Sequence, residues 1–267
     1  MRDSSPLTAS PDDEAAARPP LPTFLIIGAQ KSATRWLRSN LGKHPDVFTA
    51  DEELAYFNRR AYGRLDTDWY RDQFVGWSGQ PIVGEATPGY MMWTNDPNRT
   101  ARRINKTVPD VRLVALLRNP VDRANSAMVH HKRRGRIPPD ARLLDLVRAQ
   151  NPADDQFGLV TGGWYAASLQ PYRKLFDDRL LVVLHDEVRA DPRSVYERAL
   201  DHIGASPGFV LPEVEDVVFS NQQHAAARRA EDPTPRERAE LFEYFRNDVR
   251  KLERLFGIDC SRWDPGA

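Results

Sequence analysis

Three short runs are apolar at consecutive positions, the second after its opening Arg112, in a chain that is otherwise rich in charge: residues 24–27, 112–117 and 180–184. Continuous rather than alternating apolar character over four to six residues predicts strands buried on both faces, as in a parallel sheet covered by helices. Between these runs the period becomes helical. From 235 to 256, Leu241, Phe242, Phe245, Val249, Leu252, Leu255 and Phe256 recur at helical spacing and form one apolar stripe, which reads as core. Helix starts are marked by a capping side chain before a proline at Asn119-Pro120, Asp191-Pro192 and Thr234-Pro235, and Thr234 with Glu237 has the spacing of a capping box. Gly42, Gly204 and Gly257 suit helix stops. Strand–helix alternation without an internal repeat predicts a three-layer α/β/α sandwich around a central, mostly parallel sheet.

Residues 1 to 21 are dominated by Pro, Ala, Ser and Asp without apolar periodicity, and read as a disordered tail ahead of one domain over 22–267. The 267-residue length suits a single core. Lys plus Arg and Asp plus Glu balance at 38 each, so no global field draws the chain to nucleic acid or an anionic membrane. A phosphate site must then be a local basic cluster. Cys260 is the single cysteine, which excludes an internal disulfide and agrees with a reducing cytoplasm. No run approaches the ~18 apolar residues of a membrane span, and a signal-peptide core is absent, so the expected location is cytoplasmic. Histidine and cysteine spacing supplies no metal-ligand pattern, and no metal is expected.

The richest chemistry lies where the first apolar run meets Gly28-Ala29-Gln30-Lys31-Ser32-Ala33-Thr34-Arg35 and opens a helix. The first amides of a helix have no partner within it, and the aligned peptide dipoles point partial positive charge at an anion placed there. Lys31 adds a full charge, and Ser32 and Thr34 add hydroxyls. The Walker pattern G-x-x-x-x-G-K-[ST] is not met, because only two residues separate Gly28 from Lys31 and Gln30 stands where the second glycine belongs. A small-molecule kinase using ATP and magnesium stays open through a second segment, where the 180–184 run ends in His185-Asp186-Glu187; the alternative there is a core strand ending in a polar turn.

Lys31-Ser32-Ala33-Thr34-Arg35-Trp36-Leu37 resembles the 5′-phosphosulfate loop of sulfotransferases that use 3′-phosphoadenosine 5′-phosphosulfate (PAPS). His44-Pro45-Asp46-Val47, Glu52-Glu53-Leu54-Ala55-Tyr56-Phe57-Asn58, Glu85-Ala86-Thr87-Pro88-Gly89-Tyr90 and Leu117-Arg118-Asn119-Pro120-Val121-Asp122-Arg123-Ala124-Asn125-Ser126 follow in the order of the heparan-sulfate-type branch, over residues 22 to 264. The resemblance implies a P-loop-NTPase-like fold and sulfuryl transfer by in-line displacement, without metal, to a hydroxyl or amine, with adenosine 3′,5′-bisphosphate (PAP) as product. Lys31 would stabilise the departing phosphate oxygen, and Ser32, Ala33, Thr34 and Arg35 would bind the 5′ end. Glu53 would be the base, with Glu52 its rival. Arg118 and Ser126 would hold the 3′-phosphate, Tyr165 of Gly163-Trp164-Tyr165 would lie near the nucleotide as an adenine stack or as part of a core aromatic pair, and Arg228 and Arg229 would close over the donor.

The chain departs from that branch at Ala55, at Ala86 where a lysine is usual, and in lacking a disulfide and an anchor. These departures imply a soluble bacterial member, make a heparan-like acceptor doubtful, and leave a small molecule, glycan or natural product open as acceptor. The basic run over residues 130–136 either steers an anionic acceptor or is a solvated face. A non-catalytic nucleotide-binding protein is the remaining alternative.

Overall fold

The computed structural model describes residues 18–60, 62–149, 151, 154–214 and 232–266. Five strands, β1 (Phe24–Gly28), β2 (Val47–Thr49), β3 (Ile82–Ala86), β4 (Arg112–Leu117) and β5 (Leu180–Leu184), form one sheet in the order β2-β3-β1-β4-β5. Every pairing is parallel. Successive residues of a strand point to opposite faces, and both faces are apolar. Leu25, Ile27, Leu113, Ala115 and Leu117 enter one core cluster, while Phe24, Ile26, Val114 and Leu116 enter the other.

Helices cover both faces. On the first lie α3 (Pro97–Thr107), α4 (Pro120–Arg133), α5 (Leu143–Ala149), α6 (Tyr165–Phe176) and the C-terminal helices Pro235–Glu243 and Arg246–Phe256, and on the second α1 (Thr34–Leu41), α7 (His185–Ala190) and α8 (Pro192–Ile203). The short α2 (Thr67–Arg71) precedes β3. The three-layer architecture agrees with the reading of the sequence.

Caps act as their residue types require. Asn119 Oδ1 accepts from the amides of Val121 and Asp122, Asp191 accepts from Ser194, and Thr234 and Glu237 exchange the two bonds of a capping box. Gly204 and Gly257 end their helices in the left-handed region, whereas Gly42 ends α1 at φ −67°.

Two features escape the hydrophobic pattern. β2 has three residues, and β3 carries Gly84 and a buried glutamate, so neither is a continuous apolar run. Gly84 is required there, because a Cβ would stand 2.3 Å from the Phe24 ring. The stripe over 235–256 is divided between two helices at Tyr244 and Phe245, and Phe245 itself is fully buried.

Candidate active site

The strand order opens a crevice. From β1 the chain turns into α1 on one face of the sheet, and from neighbouring β4 it turns into α4 on the other, so the two connections diverge at the C-terminal ends of the strands. Open α/β sheets bind ligands at such a point. Gly28 ends β1 under Met91, which a Cβ would meet at 2.2 Å. Beyond it Lys31 and Ala33 are left-handed, at φ 72° and 71°. Non-glycine residues enter that region at an energetic cost of about 1–3 kcal/mol, so it recurs where a site demands it. Left-handed steps of this kind are among the backbone conformations from which anion-binding concavities are built. Ala33 is the N-cap of α1 and provides no side-chain cap, leaving the first-turn amides without a side-chain acceptor. Ser32 is fully buried, and its Oγ, which makes no hydrogen bond of ordinary geometry, acts on the Tyr165 hydroxyl. Thr34 is buried, Lys31 half-buried and Arg35 exposed.

Arg118, the first residue after β4, reaches across the crevice: its Nη1 donates to the Lys31 carbonyl at 3.3 Å. Its own carbonyl accepts from the Tyr165 hydroxyl at 2.9 Å. Tyr165 is fully buried and meets Trp263 edge-on at 6.1 Å, so its ring is core and has no open face for a base. Burial pushes its phenol up to about 12. Ser126 is half-buried on α4, one turn after Asp122 and one before His130, which are half-buried too. Arg123 of the same motif is buried and structural, donating through Nη2 to the carbonyls of Gly158 and, at 3.0 Å, Leu159.

Glu53 is exposed on the loop after β2. Behind it lies the fully buried carboxyl of Glu85, which accepts from Tyr70 at 3.0 Å, from Thr87 at 2.6 Å and from Tyr90. Burial raises Glu85 above the ordinary carboxylate range; the three donors oppose that rise and the charge of Glu53 adds to it. Thr87 also accepts from the amide of Ala55 at 3.0 Å, so the second and third motifs are bound together beside the phosphate loop.

A sulfotransferase domain model matches residues 21–251. The chain belongs to the sulfotransferase family. It is 31% identical over 263 residues to heparan sulfate glucosamine 3-O-sulfotransferase 6 of Mus musculus, covering 91% of this chain and 74% of that protein. With heparan sulfate glucosamine 3-O-sulfotransferase 3B1 of Mus musculus it shares 28% identity over 97% of this chain and 69% of that one. Among solved structures it superposes on a sulfotransferase from Alicyclobacillus acidocaldarius with a TM-score of 0.72 and 28% identity, over 91% of this chain and 98% of the other.

The family makes the chain an enzyme of the sulfotransferase class (EC 2.8.2). Residues 130–136 of this sulfotransferase divide. His131 is buried against the Phe157 ring at 4.8 Å, while Arg133, Arg134 and Arg136 are exposed. Burial, and next the charge of Lys31, bring His130 down to about 4, which puts it within the field of the phosphate loop. The two acids after β5 are in structural use: Asp186 accepts from Trp263 Nε1 at 2.8 Å, and Glu187 accepts from the Leu184 amide at 2.7 Å and pairs with Arg198 at 2.9 Å. Arg228 and Arg229 lie outside the described residues. Among the described residues no group of acids, histidines and cysteines could hold a metal, and no helix is long and apolar enough to cross a membrane. The Glu85–Thr87–Ala55 linkage was beyond reach of sequence reasoning, although a glutamate inside a buried strand is the signal that points to it.

Proposed function

We propose that this sulfotransferase moves a sulfuryl group from PAPS to a hydroxyl or amine of a small-molecule, glycan or natural-product acceptor. The observation that carries the reading is the Arg118–Lys31 contact, which joins the two motifs expected to grip opposite ends of the donor. The loop suits an anion: a buried Ser32 hydroxyl, left-handed backbone at 31 and 33, and an α1 start without a side-chain cap. PAPS, when bound, supplies the activated sulfuryl group.

The chain's own residues then have separate tasks. Lys31, with Ser32, Ala33, Thr34 and Arg35, holds the 5′ end, and its ammonium meets negative charge as it grows on the departing phosphate oxygen. Arg118 and Ser126 hold the 3′-phosphate by charge-assisted hydrogen bonds, with Tyr165 fixing the Arg118 backbone. Arg228 and Arg229 belong to the same proposal as donor-closing residues. Glu53 takes the acceptor proton as attack proceeds, on a loop held by Thr87. A lysine is absent at 86, and this favours an acceptor less anionic than heparan sulfate.

Thermal shift against PAP, AMP and ATP with magnesium, together with turnover of labelled PAPS in an extract of the source organism, tests the reading. Stabilisation by PAP above the other two and a labelled product are expected. Stabilisation by magnesium ATP alone would replace this reading with a kinase, and binding of PAP without turnover would reduce the chain to a nucleotide-binding protein.

A further inference from the structure

The residues that leave β4 and β5 are neighbours. Leu117 pairs with Leu184 in the parallel register, so the next residue on each strand, Arg118 and His185, stand side by side at the C-terminal edge of the sheet. Leu117 and Leu184 both pack toward the core cluster beneath α6. Arg118 there meets the Lys31 carbonyl, and His185 opens α7 within reach of the Arg118 charge. The imidazole of His185 is half-buried and makes no hydrogen bond or ion pair with another described residue.

Four charged groups act on it: Arg118 from the end of β4, Asp186 and Arg189 from its own helix, and Asp122 from α4. Neither acid is committed to the imidazole, since Asp122 pairs with Arg238 at 2.7 Å and Asp186 accepts from Trp263. Burial, and after it the positive charge of Arg118, hold His185 neutral down to about 4. An uncharged imidazole beside an arginine, with its nitrogens uncommitted among the described residues, is suited to receive a phosphate dianion. The arriving charge reverses the local field, the ring gains a proton from solvent, and both of its nitrogens become donors.

We propose that His185 is a second ligand of the 3′-phosphate beside Arg118, and that recognition of the 3′-phosphorylated nucleotide is coupled to uptake of one proton by this ring. The proposal rests on the 3′-phosphate role given to Arg118 above. It gives this sulfotransferase a specificity-determining residue outside the motifs that define its donor loop. Nucleotides without the 3′ group bind without the uptake.

Calorimetry of PAP and AMP between pH 6.5 and 8.5, in buffers of different ionisation enthalpy, tests this with wild type, His185→Gln, His185→Asn and Arg118→Ala. PAP binding to wild type is expected to take up a proton, and both His185 variants to lose that uptake. At pH 6.5 those variants should bind PAP about tenfold more weakly, the scale of one charge-assisted hydrogen bond, with AMP affinity unchanged. Because the free ligand titrates identically in every arm, and both His185 variants lack the titrating ring, a loss common to the two is assigned to His185. Uptake retained in both His185 variants, or equal losses for PAP and AMP, would overturn the proposal. Arg118→Ala separates the two levels: if it leaves the preference for PAP over AMP intact, the 3′ site itself is misassigned. If it abolishes that preference while the His185 variants behave as wild type, only the role of His185 falls. Unfolding midpoints measured on all four proteins show whether a loss comes from misfolding, and the second His185 variant then decides.

Discussion

The Thr87 hydroxyl donates a hydrogen bond to the buried carboxyl of Glu85 at 2.6 Å and accepts one from the amide of Ala55 at 3.0 Å, so one side chain ties the end of β3 to the loop that carries Glu53. Ala55 holds a left-handed φ of 54°, a conformation that this bond helps to secure. Replacing Thr87 by Val keeps the volume and removes the hydroxyl. The Ala55 amide is then left without its acceptor and Glu85 loses a donor, which should destabilise the fold by about 1–3 kcal/mol. Urea unfolding measures that loss, and kcat should fall while PAP affinity stays near wild type. A variant with unchanged stability and kcat would show that the linkage does not position the loop.

Lys31→Ala is expected to lower the rate of the chemical step by about 10²- to 10³-fold, the usual scale for removing one donor from a developing oxyanion. Lys43, exposed at the end of α1 and paired with Glu213 at 3.5 Å, serves as the control. Single-turnover kinetics of Lys31→Ala and Lys43→Ala make the comparison. Equal rates would remove Lys31 from catalysis.

Both Glu52 and Glu53 are exposed, and the charge of Glu53 reaches Glu85 behind the loop. Loss of a general base reduces rates by about 10²- to 10⁴-fold. Glu53→Gln should therefore be impaired on that scale with PAP binding intact, and Glu52→Gln should stay close to wild type. The reverse ranking in steady-state assays would transfer the role to Glu52.

His185 and His130 are each held neutral down to about 4, by burial first and then by Arg118 and Lys31 respectively. In the unfolded chain the same rings take protons near 6.5. The unfolded state thus binds protons first as pH falls, so the stability these groups contribute is complete above about 6.5 and is lost on the way down through about 4. The urea midpoint should decline between pH 7 and 4, and less steeply in His185→Gln. An identical slope in that variant would contradict the burial of the ring as the cause.

Local chemistry was legible in the linear chain. The strands over the runs 24–27, 112–117 and 180–184, the caps at Asn119, Asp191 and Thr234, and the turn into α1 each depend on residues within a few positions of one another, where propensity and hydrogen bonding act directly. The candidate donor loop and the arginine after β4 were visible for the same reason. Packing decided the rest. β3 was hidden because Gly84 and Glu85 interrupt its apolar run, and they are tolerated only because Phe24 fills the space over the glycine and three hydroxyls surround the carboxyl. The contact of Arg118 with Lys31 spans 87 positions, and the placing of Arg118 and His185 at the ends of neighbouring strands follows from the register of two strands far apart in the chain. Such neighbours are set by the order in which strands join the sheet, a global choice made by burying both faces at once, and no short stretch of residues encodes it.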